Sequence, residues 1–418
     1  MMNNAQRSHR GYAWISALLA GVLGMSIALP VFAADTVTRL SPAVWSSPPL
    51  LADHVDNALA SRVTDVHAVP SKALVYVHTQ QDIPNTTGKT QNSWYLDTLK
   101  AYSVATGKLQ WSYSLHKPAG AYTLSTQTAY THYGTVYLYA EYSDGTYKLY
   151  SIHASGKLNW EKSLSKAATI TLMKDSSLLV ASRGTVNSEG VIRSTLTRYD
   201  NNGKLLNQQS IQGSLLKAEG NRILIAASKL NKNQNGWEMV SNPRMDVYGL
   251  ELKRLYSYQF PAHANIYGDG SDSMFVLNDG TVLIRANIQD VGNKLFGFDA
   301  KGKLLWGRMI PGDSLTQSTG TGYVVYENKT LQLYNTSSGK ALASVTLEGD
   351  PDDYTWLLRT SDGNLMINLA DRTYVIYPTT LAIVETIDTT NLGSPLDYVH
   401  RTVYSVRDDM LYKYVLKK

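Results

Sequence analysis

The chain has no cysteine in its 418 residues. That absence excludes a disulfide-stapled scaffold, a cysteine-ligated metal and the lipidated cysteine that tethers a bacterial lipoprotein. Stability must then come from a large apolar core, which a chain of this length can bury. Phenylalanine is scarce, 5 residues against 28 tyrosines, a bias that suits amphipathic strands with one wet face. Charge blocks are missing too. Lys and Arg total 39 and Asp and Glu 34, without Lys/Arg clusters, so nothing argues for a nucleic acid partner. The 9 histidines form no H-x-H or H-x-x-x-H pair, and no phosphate-binding glycine pattern is present. Beyond the first 33 residues no segment carries a convincing helical period, and residues 49–60 are the candidate for a short helix.

One apolar run stands out, and it is at the start. Arg7, His9 and Arg10 precede an apolar stretch from Trp14 to Leu29, and Pro30-Val31-Phe32-Ala33 follows. This reads as a Sec-type signal peptide over residues 1–33, cut after Ala33. Its core of about 16 residues is shorter than the roughly 20 a spanning helix needs, and no membrane span is expected after cleavage. Removal leaves 37 basic and 34 acidic residues, a net charge of +3. The expectation is a single domain over residues 34–418, secreted or held in the extracytoplasmic envelope.

Within that domain a short segment recurs. Gly107-Lys108-Leu109-Gln110-Trp111 returns as Gly156-Lys157-Leu158-Asn159-Trp160 and as Gly302-Lys303-Leu304-Leu305-Trp306. Gly203-Lys204-Leu205-Leu206-Asn207 lacks the Trp, and Gly339-Lys340-Ala341-Leu342-Ala343 is worn further. The glycine spacings are 49, 47, 99 and 37 residues. A period near 50 in a chain of alternating strands predicts one four-stranded blade of a β-propeller per repeat. Innermost strands are expected near residues 63, 125, 170, 215, 275, 316, 357 and 398, giving an eight-bladed propeller, with seven blades as the runner-up because two units are degenerate. After Ile387 three strands remain, and Ser41-Pro42-Ala43-Val44-Trp45 places a Trp where a fourth strand should carry one. Residues 37–47 are therefore expected to complete the last blade and close the ring, removing open strand edges.

The segment Ala101-Tyr102-Ser103-Val104-Ala105-Thr106-Gly107-Lys108-Leu109-Gln110-Trp111 resembles the docking motif of the pyrroloquinoline-quinone-like (PQQ-like) propeller family. Ala101, Thr106, Gly107 and Trp111 match that motif, and Ser103 stands in its Asp position. The resemblance implies a propeller over essentially the whole mature chain. Family members that oxidise alcohols carry the quinone in the ring centre with vicinal cysteines and calcium, and this chain has no cysteine. It is more similar to the non-enzymatic branch, typified by the scaffold propeller of outer-membrane β-barrel assembly. Gly107, Trp111, Gly156, Trp160, Gly203, Gly302, Trp306 and Trp45 are thus read as blade-docking residues rather than a cofactor box. The glycines would supply positive φ in tight turns and the indoles would fill gaps between blades.

Catalytic signatures are thin. Gly312-Asp313-Ser314-Leu315 and Asp397-Tyr398-Val399-His400 spell two blocks of the GDSL esterases, but Ser314 falls between strands of a late blade. Asp269-Gly270-Ser271-Asp272-Ser273 and Asp350-Pro351-Asp352-Asp353 lack the spacing of a calcium loop. Aromatics near the insertions at 80–95 and 229–243 and near the channel mouth are the remaining ligand-contact candidates: Trp94, Tyr95, Trp237, Tyr354 and Trp356. The expectation is a monomeric binding or scaffolding module with no catalysis, no cofactor and no metal, its partner a protein or a cell-wall glycan. The rival is an enzyme using the ring centre, quinone-dependent or esterase-like.

Overall fold

Each repeat folds as an antiparallel four-stranded sheet, in the order the turns dictate. The computed structural model describes residues 31–32, 40, 42–50, 60–84, 94–115, 121–227, 230–233, 236–239, 243–266, 274–312, 314–349, 355–389, 392 and 394–416. The candidate helix at 49–60 lies largely outside them. Among the described residues the sole helical element is the 3-10 turn Pro70–Lys72.

The first sheet runs Ala60–Val69, Leu74–Ile83, Trp94–Ser103 and Leu109–Ser114. The second runs Thr123–Tyr130, Val136–Tyr142, Tyr147–Ile152 and Leu158–Leu164, and one pair, Tyr95 opposite Thr123, joins the two. The same plan continues through sheets spanning 168–212, 214–259, 264–309, 315–346 and 356–388. The last sheet takes three strands from Ser394–Val399, Thr402–Arg407 and Met410–Val415. Its outer strand comes from far upstream: Trp45 lies opposite Lys413 and Ser46 opposite Tyr412. Seven of the eight inner-strand positions anticipated from the repeat fall in the first strand of one of these sheets, and residue 275 falls in Met274–Val276, which pairs with Val282–Ile288 beside Ala264–Asn265. A two-residue strand, Val31–Phe32, runs parallel to Ala341–Thr346, inside the stretch read as a leader.

Burial follows strand position. Second strands such as Leu74–Ile83 and Val136–Tyr142 are covered on both faces, because a neighbouring sheet packs against each side. Outer strands such as Leu109–Ser114 and Arg254–Gln259 alternate exposed and half-buried. The tyrosine-rich strands thus differ from the expected one-wet-face pattern. Tyr137 and Tyr139 are buried against Ile170 and Val180 of the next sheet. Tyrosine serves there because its hydroxyl finds a partner: Tyr137 donates to Asn201 Oδ1 at 3.2 Å, and Tyr139 accepts from the Ala168 amide at 3.1 Å.

The recurrent Trp and Gly meet across sheets rather than within one repeat. Trp45 Nε1 donates to Val104 O at 2.9 Å, and its ring lies 2.5 Å from where a Cβ on Gly107 would stand. Gly107 has φ +68°, so any side chain there would combine backbone strain with a clash. Trp111 sits likewise on Gly156, Trp160 on Gly203 and Trp306 on Gly339, each indole donating to a carbonyl of the next sheet. In the degenerate fourth unit Tyr256 takes the Trp place against Gly302. These indoles are half-buried, so Trp111→Ala is expected to cost about 2 kcal/mol, below the 3–5 of a fully buried Trp. Chemical denaturation should show that loss with an unchanged slope; a change under about 0.5 kcal/mol would mean the indole does not dock.

Candidate functional site

The first two sheets enclose a polar cavity of about 460 Å³. Its wall takes Arg62 and Thr64 from the first strand, His78 and Gln80 from the second, Tyr95 from the third, and residues 124–128 from the inner strand of the next sheet. Polar groups on Leu74–Ile83, an otherwise apolar central strand, need partners, and the cavity supplies them. His78 Nδ1 lies 2.8 Å from Thr64 Oγ1, and Nε2 lies 2.9 Å from Asp97 Oδ1. Asp97 is fully buried and also accepts from Gln80 Nε2 at 3.2 Å, from Thr126 Oγ1 at 3.0 Å and from Thr123 Oγ1. Thr64 reaches this place through a β-bulge, since register shifts between Val63 and Asp65. Arg62 caps the entrance, bonded to Gln80 Oε1 at 3.1 Å and lying 5.6 Å over the Tyr95 ring.

Deeper along the same inner strand a second polar cluster stitches sheets together. Asp65 accepts from Thr128 at 3.2 Å. Asp397 of the last sheet accepts from the Ala68 amide at 3.3 Å and from Ser361 N and Oγ at 3.1 and 2.6 Å, so one carboxylate holds three sheets. Burial raises the Asp397 pKa, against the opposing pull of the Ser361 and Ala68 hydrogen bonds and of His67. Burial lowers that of His67, against the opposing charges of Asp397 and Asp65. His67 stacks on Tyr130 at 4.5 Å, and burial pushes the Tyr130 phenol well above its ordinary value.

Of the aromatic candidates, Tyr95 lines the cavity, and Trp356 is half-buried against the cluster containing Met366 and Tyr398. Trp94 and Trp237 lie on strands whose side chains there fall outside the described residues, as does Tyr354. Both acidic segments considered for calcium also lie outside them. Among the described residues no group of three or more His, Asp or Glu is arranged to hold a metal, and no helix is long and apolar enough to cross a membrane.

Ser314 is buried and donates to Pro311 O at 2.9 Å. His400 is exposed in a turn of another sheet, and Asp397 is committed to the cluster above. The esterase blocks are therefore not assembled. Ser314→Ala is expected to leave ester turnover unchanged from the wild type in a p-nitrophenyl ester assay.

Antiparallel sheets repeated on one plan, each docked to the next, define an all-β repeat protein of propeller-like architecture. Residues 96–230 match the family described as outer membrane protein assembly factor BamB, and the PQQ-like repeat read from the sequence is borne out there. Among solved structures, BamB from Moraxella catarrhalis aligns at 11% identity over 86% of this chain and 97% of its own, with a TM-score of 0.38. The β-propeller domain of the Trilobed protease from Pyrococcus furiosus aligns at 12% identity over 80% and 99%, TM-score 0.45. Quinohemoprotein alcohol dehydrogenase from Comamonas testosteroni aligns at 12% identity over 89% and 76%, TM-score 0.45. No curated protein matches the chain.

Proposed function

We propose that the chain is an eight-bladed propeller, closed by the Trp45–Ser46 strand, that acts in the cell envelope as a protein-binding scaffold without catalysis. The match of residues 96–230 to the BamB family is the observation that carries this reading. The insertions support it. Those at 84–93, 183–191 and 227–243 all leave their sheets between second and third strands, and Leu230 N donates to Gly190 O at 2.8 Å, so two of them touch. Gln80 and Tyr95 lie on the two strands that the third connects, so the polar cavity lies beside its ends. The test is cross-linking of the purified chain in its own envelope fraction, with the hairpin at 230–239 replaced by a two-residue turn as control. A defined partner whose cross-links map to the insertions and vanish in the control supports the scaffold; cross-links unchanged by the replacement overturn this face as the binding surface.

One arrangement favours a second reading, hydrolysis. Thr64, His78 and Asp97 stand in the order hydroxyl, imidazole, carboxylate. Against it, the Thr64 hydroxyl also lies 3.2 Å from the His78 carbonyl, and Asp97 is saturated by neighbours, as in a structural network. An ester and amide screen with wild type and Thr64→Val separates the two: turnover lost in the variant would establish the enzyme.

A further inference from the structure

A second cavity, of about 260 Å³, lies where the inner strands end and their first turns meet. Five successive sheets contribute to its wall: Lys174, then Glu219 and Asn221, then Asn278, then Gly320, then Arg359. The rim is bonded from turn to turn. Lys174 N donates to Gly220 O at 2.8 Å and Asn278 N to Gly320 O at 3.0 Å. Glu219 is already engaged, accepting from the Val276 amide at 3.1 Å with Lys217 Nζ 3.8 Å away. Lys174 and Arg359 are exposed, and among the described residues neither side chain makes a hydrogen bond or an ion pair. Donors also converge on one point. A Cβ built on Gly320 would lie 3.1 Å from Asn278 Nδ2 and 3.3 Å from both Arg359 Nη atoms, so the missing side chain leaves a space faced by an amide and a guanidinium.

We propose that this cavity binds one carboxylate, presented by an acidic side chain of a protein partner. An unpaired guanidinium offers the parallel donors that a carboxylate accepts in bidentate fashion, and Lys174 adds a second cation. Glu219, paired with Lys217 at 3.8 Å, still borders the space, so it opposes a phosphate dianion more strongly than a singly charged carboxylate. The inference rests on the protein-binding reading and names the chemistry recognised at one end of the ring.

Isothermal titration with a short peptide carrying one Glu among neutral residues, its Gln counterpart, sodium acetate and sodium phosphate tests it. The Glu peptide is expected to bind saturably and about tenfold or more tighter than the Gln peptide. Arg359→Gln and Lys174→Gln should each weaken the Glu peptide about tenfold and leave the melting temperature in place, since both side chains are exposed. Glu219→Gln should raise phosphate affinity about tenfold by removing the opposing charge. Equal binding of the two peptides, phosphate as tight as the Glu peptide in the wild type, or indifference to both cation substitutions would overturn the proposal. Acetate as tight as the peptide would overturn the peptide as its source. An envelope partner captured equally by wild type and the Lys174→Gln, Arg359→Gln double variant would leave the scaffold standing and this site refuted.

Discussion

Deleting residues 42–50 is expected to destabilise the whole domain by about 5 kcal/mol or more, a large part of the 5–15 typical of a folded domain. The segment is short but bonded throughout. Val44 N donates to Lys413 O at 2.8 Å, Ser47 N to Leu411 O at 2.8 Å and Leu50 N to Asp409 O at 2.6 Å. The Ser47 hydroxyl accepts from the Leu411 amide at 3.0 Å, and the buried Lys100 ammonium of the first sheet donates to Leu50 O at 2.6 Å. Leu50 is fully buried beside Val75, Val77 and Leu411, and Trp45 spans to Gly107. Removing the segment opens a cavity between the first and last sheets and bares the edge of Met410–Val415 for pairing with other chains. Thermal unfolding should drop well below that of the full chain, and light scattering should show aggregates. A melting temperature unchanged by the deletion would refute the closure of one sheet onto the other.

Asp97→Ala is the second substitution expected to act strongly, at about 3–5 kcal/mol. Its side chain is the common acceptor for three groups drawn from two sheets, Gln80, Thr123 and Thr126, and it lies 2.9 Å from the His78 ring. Alanine takes away the acceptor and leaves those buried donors to lose solvation without return. Thr123 and Gln80 are nearly inaccessible, so water reaches them poorly. Asp97→Asn keeps one acceptor oxygen and should cost less than half as much, which separates lost hydrogen bonding from lost shape. Equal effects of Ala and Asn in urea unfolding would show that the network contributes little.

Much of the architecture could be read from single repeats because its causes are local. A glycine with positive φ in a Gly-Lys turn, flanked by alternating apolar residues, sets a strand boundary wherever it occurs, and Gly107 and Gly156 do so. Trp45 could be placed because it fills a slot that neighbouring repeats define. The partner of each indole could not be read, since Trp111 meets a glycine one repeat away. The cavity beside Thr64 was equally hidden, its wall being drawn from four strands with no fixed spacing. A signal existed in His78 and Gln80, polar residues in the central strand Leu74–Ile83, and in Asp97, acidic in the middle of Trp94–Ser103. Of the aromatics singled out, Tyr95, chosen beside an insertion, lines the cavity, and Trp356, chosen near the channel mouth, packs in a core cluster.

The offset between indole and glycine bears on how such a chain can lengthen. Where a unit carries both a glycine and an indole, the indole serves the following unit: Trp111 meets Gly156, and Trp160 meets Gly203 in turn. A tandem duplication of one period, wherever its breakpoints fall, inserts one indole and one glycine in the same alternating order. Every junction it creates therefore finds a matching pair, including the two that flank the new copy. Gene duplication can add or remove such a unit without any compensating substitution at the seams.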